Sequence, residues 1–163
     1  MKYKLLVLDI DGTVTNSKKQ ITEKTRNAIL ELQKSGIPVA IASGRAPQGI
    51  YSVAKALELD KFGSYIMPFN GARIVNFQTG ECIYSKTLPL HLPARLWRDA
   101  VENGIGIVTY DEKEVIAGTK PDKYTLLEAK IASMPIAYHE DFHTYVDFPV
   151  NKCLMTGEPE DLE

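Results

Sequence analysis

Cysteine is scarce in this sequence: Cys82 and Cys153 are the only two in 163 residues. Two thiols far apart build neither a zinc site nor a disulfide framework, so the expected state is two reduced, buried thiols in the cytoplasm. Charge of one sign is lacking too. Nineteen Lys and Arg face 21 Asp and Glu, a net charge of -2, and no basic run occurs. Non-specific binding to nucleic acid or to a membrane surface is therefore not expected. Long hydrophobic runs are absent: after Met1-Lys2-Tyr3-Lys4, four apolar residues are cut off by Ile10's neighbours Asp9 and Asp11. That is too short for a signal peptide, and nothing approaches a membrane span. No internal repeat or low-complexity segment is visible. What remains is a chain 44% hydrophobic, long enough to bury a core in one or two domains. Nothing in it fixes an oligomeric state.

The chemistry is concentrated near the start, in Leu5-Leu6-Val7-Leu8-Asp9-Ile10-Asp11-Gly12-Thr13. A short continuous apolar run bounded by a turn predicts a strand buried on both faces, as in a parallel sheet. Ligands bind beyond the carboxyl ends of such strands, where Asp9 and Asp11 fall. Two adjacent anions beside a core repel each other and lose hydration, so a cation or a proton must compensate them.

Next come a polar loop from Asn16 to Gln20 and Thr22 as helix N-cap. Ala28, Ile29 and Leu32 mark that helix's apolar face, and Gly36 follows it. Ile37–Ala42 reads as a second strand, completing a βαβ unit. After Ser43-Gly44-Arg45, Pro47 opens another helix with Ile50, Val53, Ala54 and Leu57 on one face. A third strand, Tyr65–Met67, leads to Asn70-Gly71, and a hairpin spans 74–84. The pattern changes after Lys86. Expected there are a helix over 94–103, strands at 106–110 and 114–117, and a helix from Asp122 to Met134 carrying Leu126, Leu127, Lys130 and Ile131. Strand-like pieces follow at 136–138 and 152–155. The terminal Gly157-Glu158-Pro159-Glu160-Asp161-Leu162-Glu163 reads as a helix start, as if the chain were cut short. The expected fold is α/β: half of a Rossmann-like doubly wound parallel sheet over residues 1–86, with a smaller α+β layer over 87–163.

Alternate residues of a strand share a face, so Asp9 and Asp11 can approach one Mg²⁺, a hard cation served by carboxylates. Gly12-Thr13 allows a tight turn whose amides could cradle an anion. Ser43-Gly44, ending the neighbouring strand before a helix start, offers a phosphate subsite. Asp9-Ile10-Asp11-Gly12-Thr13 and Ser43 match the first two motifs of the haloacid dehalogenase superfamily. With Ser43-Gly44-Arg45, Asn70-Gly71-Ala72 and Asn151-Lys152-Cys153-Leu154-Met155, the chain resembles its Cof-type subfamily with a type IIB cap.

This resemblance implies a Mg²⁺-dependent phosphatase acting on a small phosphorylated metabolite. Asp9 would be the nucleophile, forming an aspartyl-phosphate, and Asp11 the general acid–base. Mg²⁺ would be held by the Asp9 carboxylate and the Asp11 main-chain carbonyl. Ile10, Ser43 and Gly44 would bind the phosphoryl oxygens; Arg45 would either reach the phosphate or pair with a core acid, and Asn70, first a turn residue, would be a further substrate contact. Residues 1–86 would be the N-terminal part of the core, and 87–163 an incomplete inserted cap. The family's third-motif lysine and fourth-motif acidic run would lie beyond Glu163, Lys152 being a cap residue, so the chain alone is expected to be inactive or feeble.

A phosphomutase of the same superfamily and a non-catalytic fragment are the alternatives. A phospho-acceptor signalling domain is disfavoured, because its acid would end the third strand, where Met67-Pro68-Phe69-Asn70 carries none. His139-Glu140-Asp141-Phe142-His143 spells the H-E-x-x-H of zinc metalloproteases. That motif needs one helix face for both histidines and a third ligand, so exposed histidines at a loop or strand edge are the preferred reading. Leu96 and Trp97 are read as packing residues.

Overall fold

The computed structural model describes residues 3–162. The chain divides into two compact units, residues 1–85 and 86–163.

In the first unit, strands β1 (Leu6–Leu8), β2 (Val39–Ala42) and β3 (Tyr65–Met67) run parallel in that order. Helices α1 (Glu23–Lys34) and α2 (Gln48–Ala56) make the two crossovers. An antiparallel hairpin, β4 (Arg73–Asn76) and β5 (Cys82–Ser85), extends the sheet beyond β3. Thr22 caps α1 by accepting a hydrogen bond from the Thr25 amide, as its sequence position predicts. Ile29 of α1 and Ile50, Val53, Ala54 and Leu57 from the α2 region pack with Ile10, Val39, Ile41 and Ile66 in one cluster. Each fully buried Ile or Leu contributes on the order of 1.5–3 kcal/mol.

Burial corrects the expectations in three places. β1 is the sheet's outer strand among the described residues, not a doubly covered one, and Val7 is 49% exposed. On α1 the buried face is Ile29, Leu30 and Gln33, while Ala28 is exposed beside a cleft lined by Leu6, Leu8, Thr13, Val14 and Ile29. Cys82 is exposed, because β5 is the sheet's other outer strand.

The second unit is a four-stranded mixed sheet in the order β8-β7-β6-β9, from β6 (Gly106–Tyr110), β7 (Val115–Ala117), β8 (Ile136–Tyr138) and β9 (Leu154–Thr156). Its helices are α3 (Leu92–Glu102), α4 (Lys123–Ala132) and the single turn α5 (Phe142–Tyr145). Asp122 and Thr125 cap α4 reciprocally. The buried side of α4 is Thr125, Ala129 and Ala132, small residues that let it sit close to the sheet. Leu126 and Leu127 instead face outward, each more than half exposed. Leu96 and Trp97 pack against a core of Ala100, Ile107, Ile116, Phe142, Val146 and Val150. The helix start expected at the end of the chain is one 3₁₀ turn, Pro159–Asp161; Glu163 lies outside the described residues. No helix among the described residues is long and apolar enough to cross a membrane.

Candidate active site

The parallel strands β1, β2 and β3 deliver three chain segments to one edge of the first sheet. After β1 the chain folds back on itself. Ile10 is fully buried, and its carbonyl accepts hydrogen bonds from the Thr15 amide, the Thr15 hydroxyl and the Thr13 amide. The carboxylates on either side of Ile10 point the other way and are exposed. Gly12 takes φ +81, a left-handed turn at no steric cost. Its amide donates to the Thr15 carbonyl at 3.0 Å. The Gly12 and Thr13 amides therefore close the turn internally instead of cradling an anion, which corrects the sequence expectation.

The two aspartates differ sharply. Asp11 is held by two cations. Arg45 Nη2 lies 2.8 and 2.9 Å from its two oxygens, Arg45 Nε lies 3.2 Å from one of them, and Lys19 Nζ lies 2.8 Å from Oδ1. The Lys19 ammonium first, opposed next by burial, and then the Arg45 guanidinium leave this carboxyl below the usual carboxylate range. A depressed folded-state pKa means the two cations stabilise the fold above the ordinary carboxylate pKa. That stabilisation is lost as pH falls through the acid range below it. The Asp9 carboxylate, by contrast, makes no ion pair or hydrogen bond among the described residues. The compensation that two neighbouring anions require thus reaches only one of them.

Ser43 is buried at the end of β2, and its Oγ accepts the Arg45 amide at 3.3 Å, leaving the hydroxyl proton to donate. Gly44 has the Asn70 side chain against it. A Cβ on Gly44 would stand 3.2 Å from Asn70 Oδ1. Asn70 sits in a 3₁₀ turn, Phe69–Gly71, at φ +58, and its amide donates to the Ser43 carbonyl at 3.0 Å. Arg45 is fixed between segments, Nη1 donating to the Gly49 carbonyl at 3.1 Å while the Arg45 carbonyl accepts the Phe69 amide. Arg45 links the β2 end to Asp11, and Asn70 links the β3 end to Gly44.

Lys19 was not legible as a site residue. The loop that places it is built by Asn16, whose Oδ1 accepts the Lys18 and Gln20 amides and whose main chain pairs with Lys19 and Gln20. This folds five residues into a closed turn and puts Lys19 at φ +58. That conformation costs a non-glycine residue on the order of 1–2 kcal/mol. An asparagine opening a short polar loop three positions after the Asp-x-Asp-Gly-Thr run is the signal that could have pointed to it.

Mg²⁺ fits the donor set in part. The open Asp9 carboxylate is a suitable hard ligand, and Asp11, with its carboxylate engaged by Arg45 and Lys19, has its main-chain carbonyl to offer. No group of three or more His, Cys, Asp or Glu side chains able to hold a metal occurs among the described residues.

The H-E-x-x-H stretch does not form the helix that zinc ligation needs, since His139 precedes α5. His139 stacks on Tyr145 at 3.6 Å and His143 on Trp97 at 4.5 Å, so the two rings serve different aromatic contacts.

Comparison with known proteins bears on the fold and the family. The solved structure of a haloacid dehalogenase-like hydrolase from Bacteroides thetaiotaomicron superposes with a TM-score of 0.89 at 39% identity, covering 99% of this chain and 60% of that one. A subclass IIB sugar phosphatase shares the fold, with a TM-score of 0.76 at 19% identity over 98% of this chain and 61% of its own. A Streptococcus pyogenes protein provisionally named as a phosphatase is 30% identical over 166 residues, covering all of this chain and 61% of its own length. The chain thus spans about 60% of the length of these relatives. The haloacid dehalogenase-like hydrolase family matches residues 6–163, and the chain belongs to that family.

Proposed function

We propose that the complete gene product carrying this chain hydrolyses a phosphomonoester of a small metabolite in the cytoplasm, with Asp9 as the attacking group. The observation that carries this reading is the asymmetry of the two aspartates. Asp9 stands with its carboxylate open, while Asp11, two residues on, is oriented by Arg45 and Lys19. An unpaired carboxylate is a competent nucleophile, and a carboxyl held in one orientation is suited to moving a proton.

In the first step an Asp9 oxygen bonds to phosphorus as the bond from phosphorus to the alcohol oxygen breaks. Asp11, after taking up a proton from solvent against the pull of Lys19 and Arg45, gives it to that oxygen. In the second step water attacks phosphorus, Asp11 takes the water's proton, and the Asp9 carboxylate is released with inorganic phosphate. The Ile10 and Gly44 main chain and the Ser43 hydroxyl hold the phosphoryl oxygens, and Arg45 and Asn70 flank them as substrate contacts. Bound Mg²⁺, held by the Asp9 carboxylate and the Asp11 carbonyl, supplies neutralisation of the charge gathered there. The unit from residue 86 onward acts as the cap that selects the substrate. Its support is the likeness in fold to a subclass IIB sugar phosphatase.

The test is inorganic phosphate release from a panel of sugar, nucleotide and cofactor phosphomonoesters by the complete product. Release that requires Mg²⁺ and stops with EDTA is expected. No release from any ester, release indifferent to EDTA, or phosphate moved within the substrate instead of to water overturns the reading.

A further inference from the structure

We propose that Lys19 is a specificity residue selecting phosphomonoesters whose leaving group carries a second anionic group, a carboxylate or another phosphate. The inference rests on the phosphatase reading above and deepens it.

Its basis is the way Lys19 is placed. Arg45 alone satisfies Asp11, reaching both carboxylate oxygens from one nitrogen and one of them from a second. The Lys19 ammonium is thus a second cation on an anion already paired, and its side chain is 68% exposed. An exposed ion pair of that kind adds little to folding and is readily exchanged for another partner. Yet the Asn16 turn holds Lys19 in a left-handed conformation that disfavours any side chain beyond glycine. A left-handed backbone that presents an exposed, readily exchanged ammonium points to use of the ammonium itself.

The geometry defines that use. Asp11 must reach the oxygen leaving phosphorus, and Lys19 lies one hydrogen bond beyond Asp11, at 2.8 Å. On this proposal the leaving alcohol's carbon skeleton passes within reach of that ammonium. Lysine is a compact charge on a flexible stem, able to turn from Asp11 to an anion a few bonds from the ester oxygen.

The experiment compares kcat/KM of the complete product for 3-phosphoglycerate and glycerol 3-phosphate, which differ in a carboxylate against a hydroxymethyl group. Wild type is expected to favour 3-phosphoglycerate. Lys19→Ala is expected to lower the ratio of kcat/KM for 3-phosphoglycerate over glycerol 3-phosphate about tenfold, through KM, beyond any kcat loss the two esters share through Asp11, with Lys19→Arg recovering most of the ratio. Equal losses on both esters, which would mean that Lys19 acts only through Asp11, or no loss on either, overturn the proposal. Hydrolysis of neither ester by a wild type that hydrolyses other phosphomonoesters also overturns the proposal, whereas hydrolysis of no phosphomonoester at all, or hydrolysis surviving Asp9→Asn, overturns the phosphatase reading beneath it.

Discussion

Gly118 follows β7 where Trp97 and Phe142 meet, and Gly118→Ala tests how tightly the second unit is built. A Cβ there would lie 2.7 Å from Trp97 Cδ1 and 2.8 Å from two atoms of the Phe142 ring. Ordinary carbon contacts are about 3.5–4.0 Å, so one ring must retreat by more than half an ångström. Neither retreats freely. Phe142 is fully buried, and the Trp97 indole donates to the Gly118 carbonyl at 2.7 Å while stacking on His143. Overpacking of this kind costs about 1–3 kcal/mol, and weakening the indole hydrogen bond adds about 1 kcal/mol. In a unit of about 80 residues, 2–4 kcal/mol corresponds to a fall in melting temperature on the order of 10–25 °C. Trp97 is the only tryptophan, so its fluorescence reports on this unit directly. A melting temperature within about 2 °C of wild type, with unchanged emission, would refute the packing argument.

Gln33 is buried in α1, its amide donating to the Leu57 carbonyl at 2.8 Å and its carbonyl accepting the Ser64 hydroxyl at 2.8 Å, while Ser64 Oγ accepts the Val39 amide. Gln33→Leu orphans two buried groups and should lower the stability of the first unit by about 2–4 kcal/mol in urea unfolding; a loss under about 0.5 kcal/mol counts against it. Burial pushes the Cys153 thiol up to about 11, whereas Cys82 is exposed. At pH 8 a disulfide-exchange reagent should therefore label one thiol quickly and the second only after unfolding, and two fast thiols would contradict this burial. An acid whose folded pKa is raised loses stability as pH climbs past its unfolded value, so stability should decline from about pH 9 toward 11, and Cys153→Ala should flatten that decline.

The site was most legible where the chemistry is local in sequence. Asp9-Ile10-Asp11-Gly12-Thr13 encodes its own geometry, because one buried isoleucine between two acids forces both acids to the opposite side. The βαβ unit and the α2 face followed from periodicity, since Ile50, Val53, Ala54 and Leu57 must share one side of a helix. Periodicity does not say whether a neighbour covers an apolar side chain. Val7 and Ala28, which that pattern assigns to buried faces, are exposed. The split between the aspartates was hidden for a different reason: Arg45 is 34 residues from Asp11, and only the pairing of β1 with β2 brings them together. Lys19 was hidden because a left-handed turn in a polar loop leaves no hydropathy signal. His139-Glu140-Asp141-Phe142-His143 spells a motif that sequence reasoning sets aside and the structure does not build, as five letters fix a motif without fixing the helix it needs.

The central claim is that Asp9 attacks phosphorus and Asp11 moves the proton, and paired substitutions in the complete product test it most directly. With a phosphomonoester it hydrolyses, Asp9→Asn should abolish turnover while leaving the melting temperature near wild type, because the Asp9 carboxylate holds no partner among the described residues. Asp11→Asn should retain a residual rate, reduced by about 10²–10⁴-fold as expected for loss of a general acid–base. Phosphate release by Asp9→Asn at a rate comparable to wild type would contradict the account.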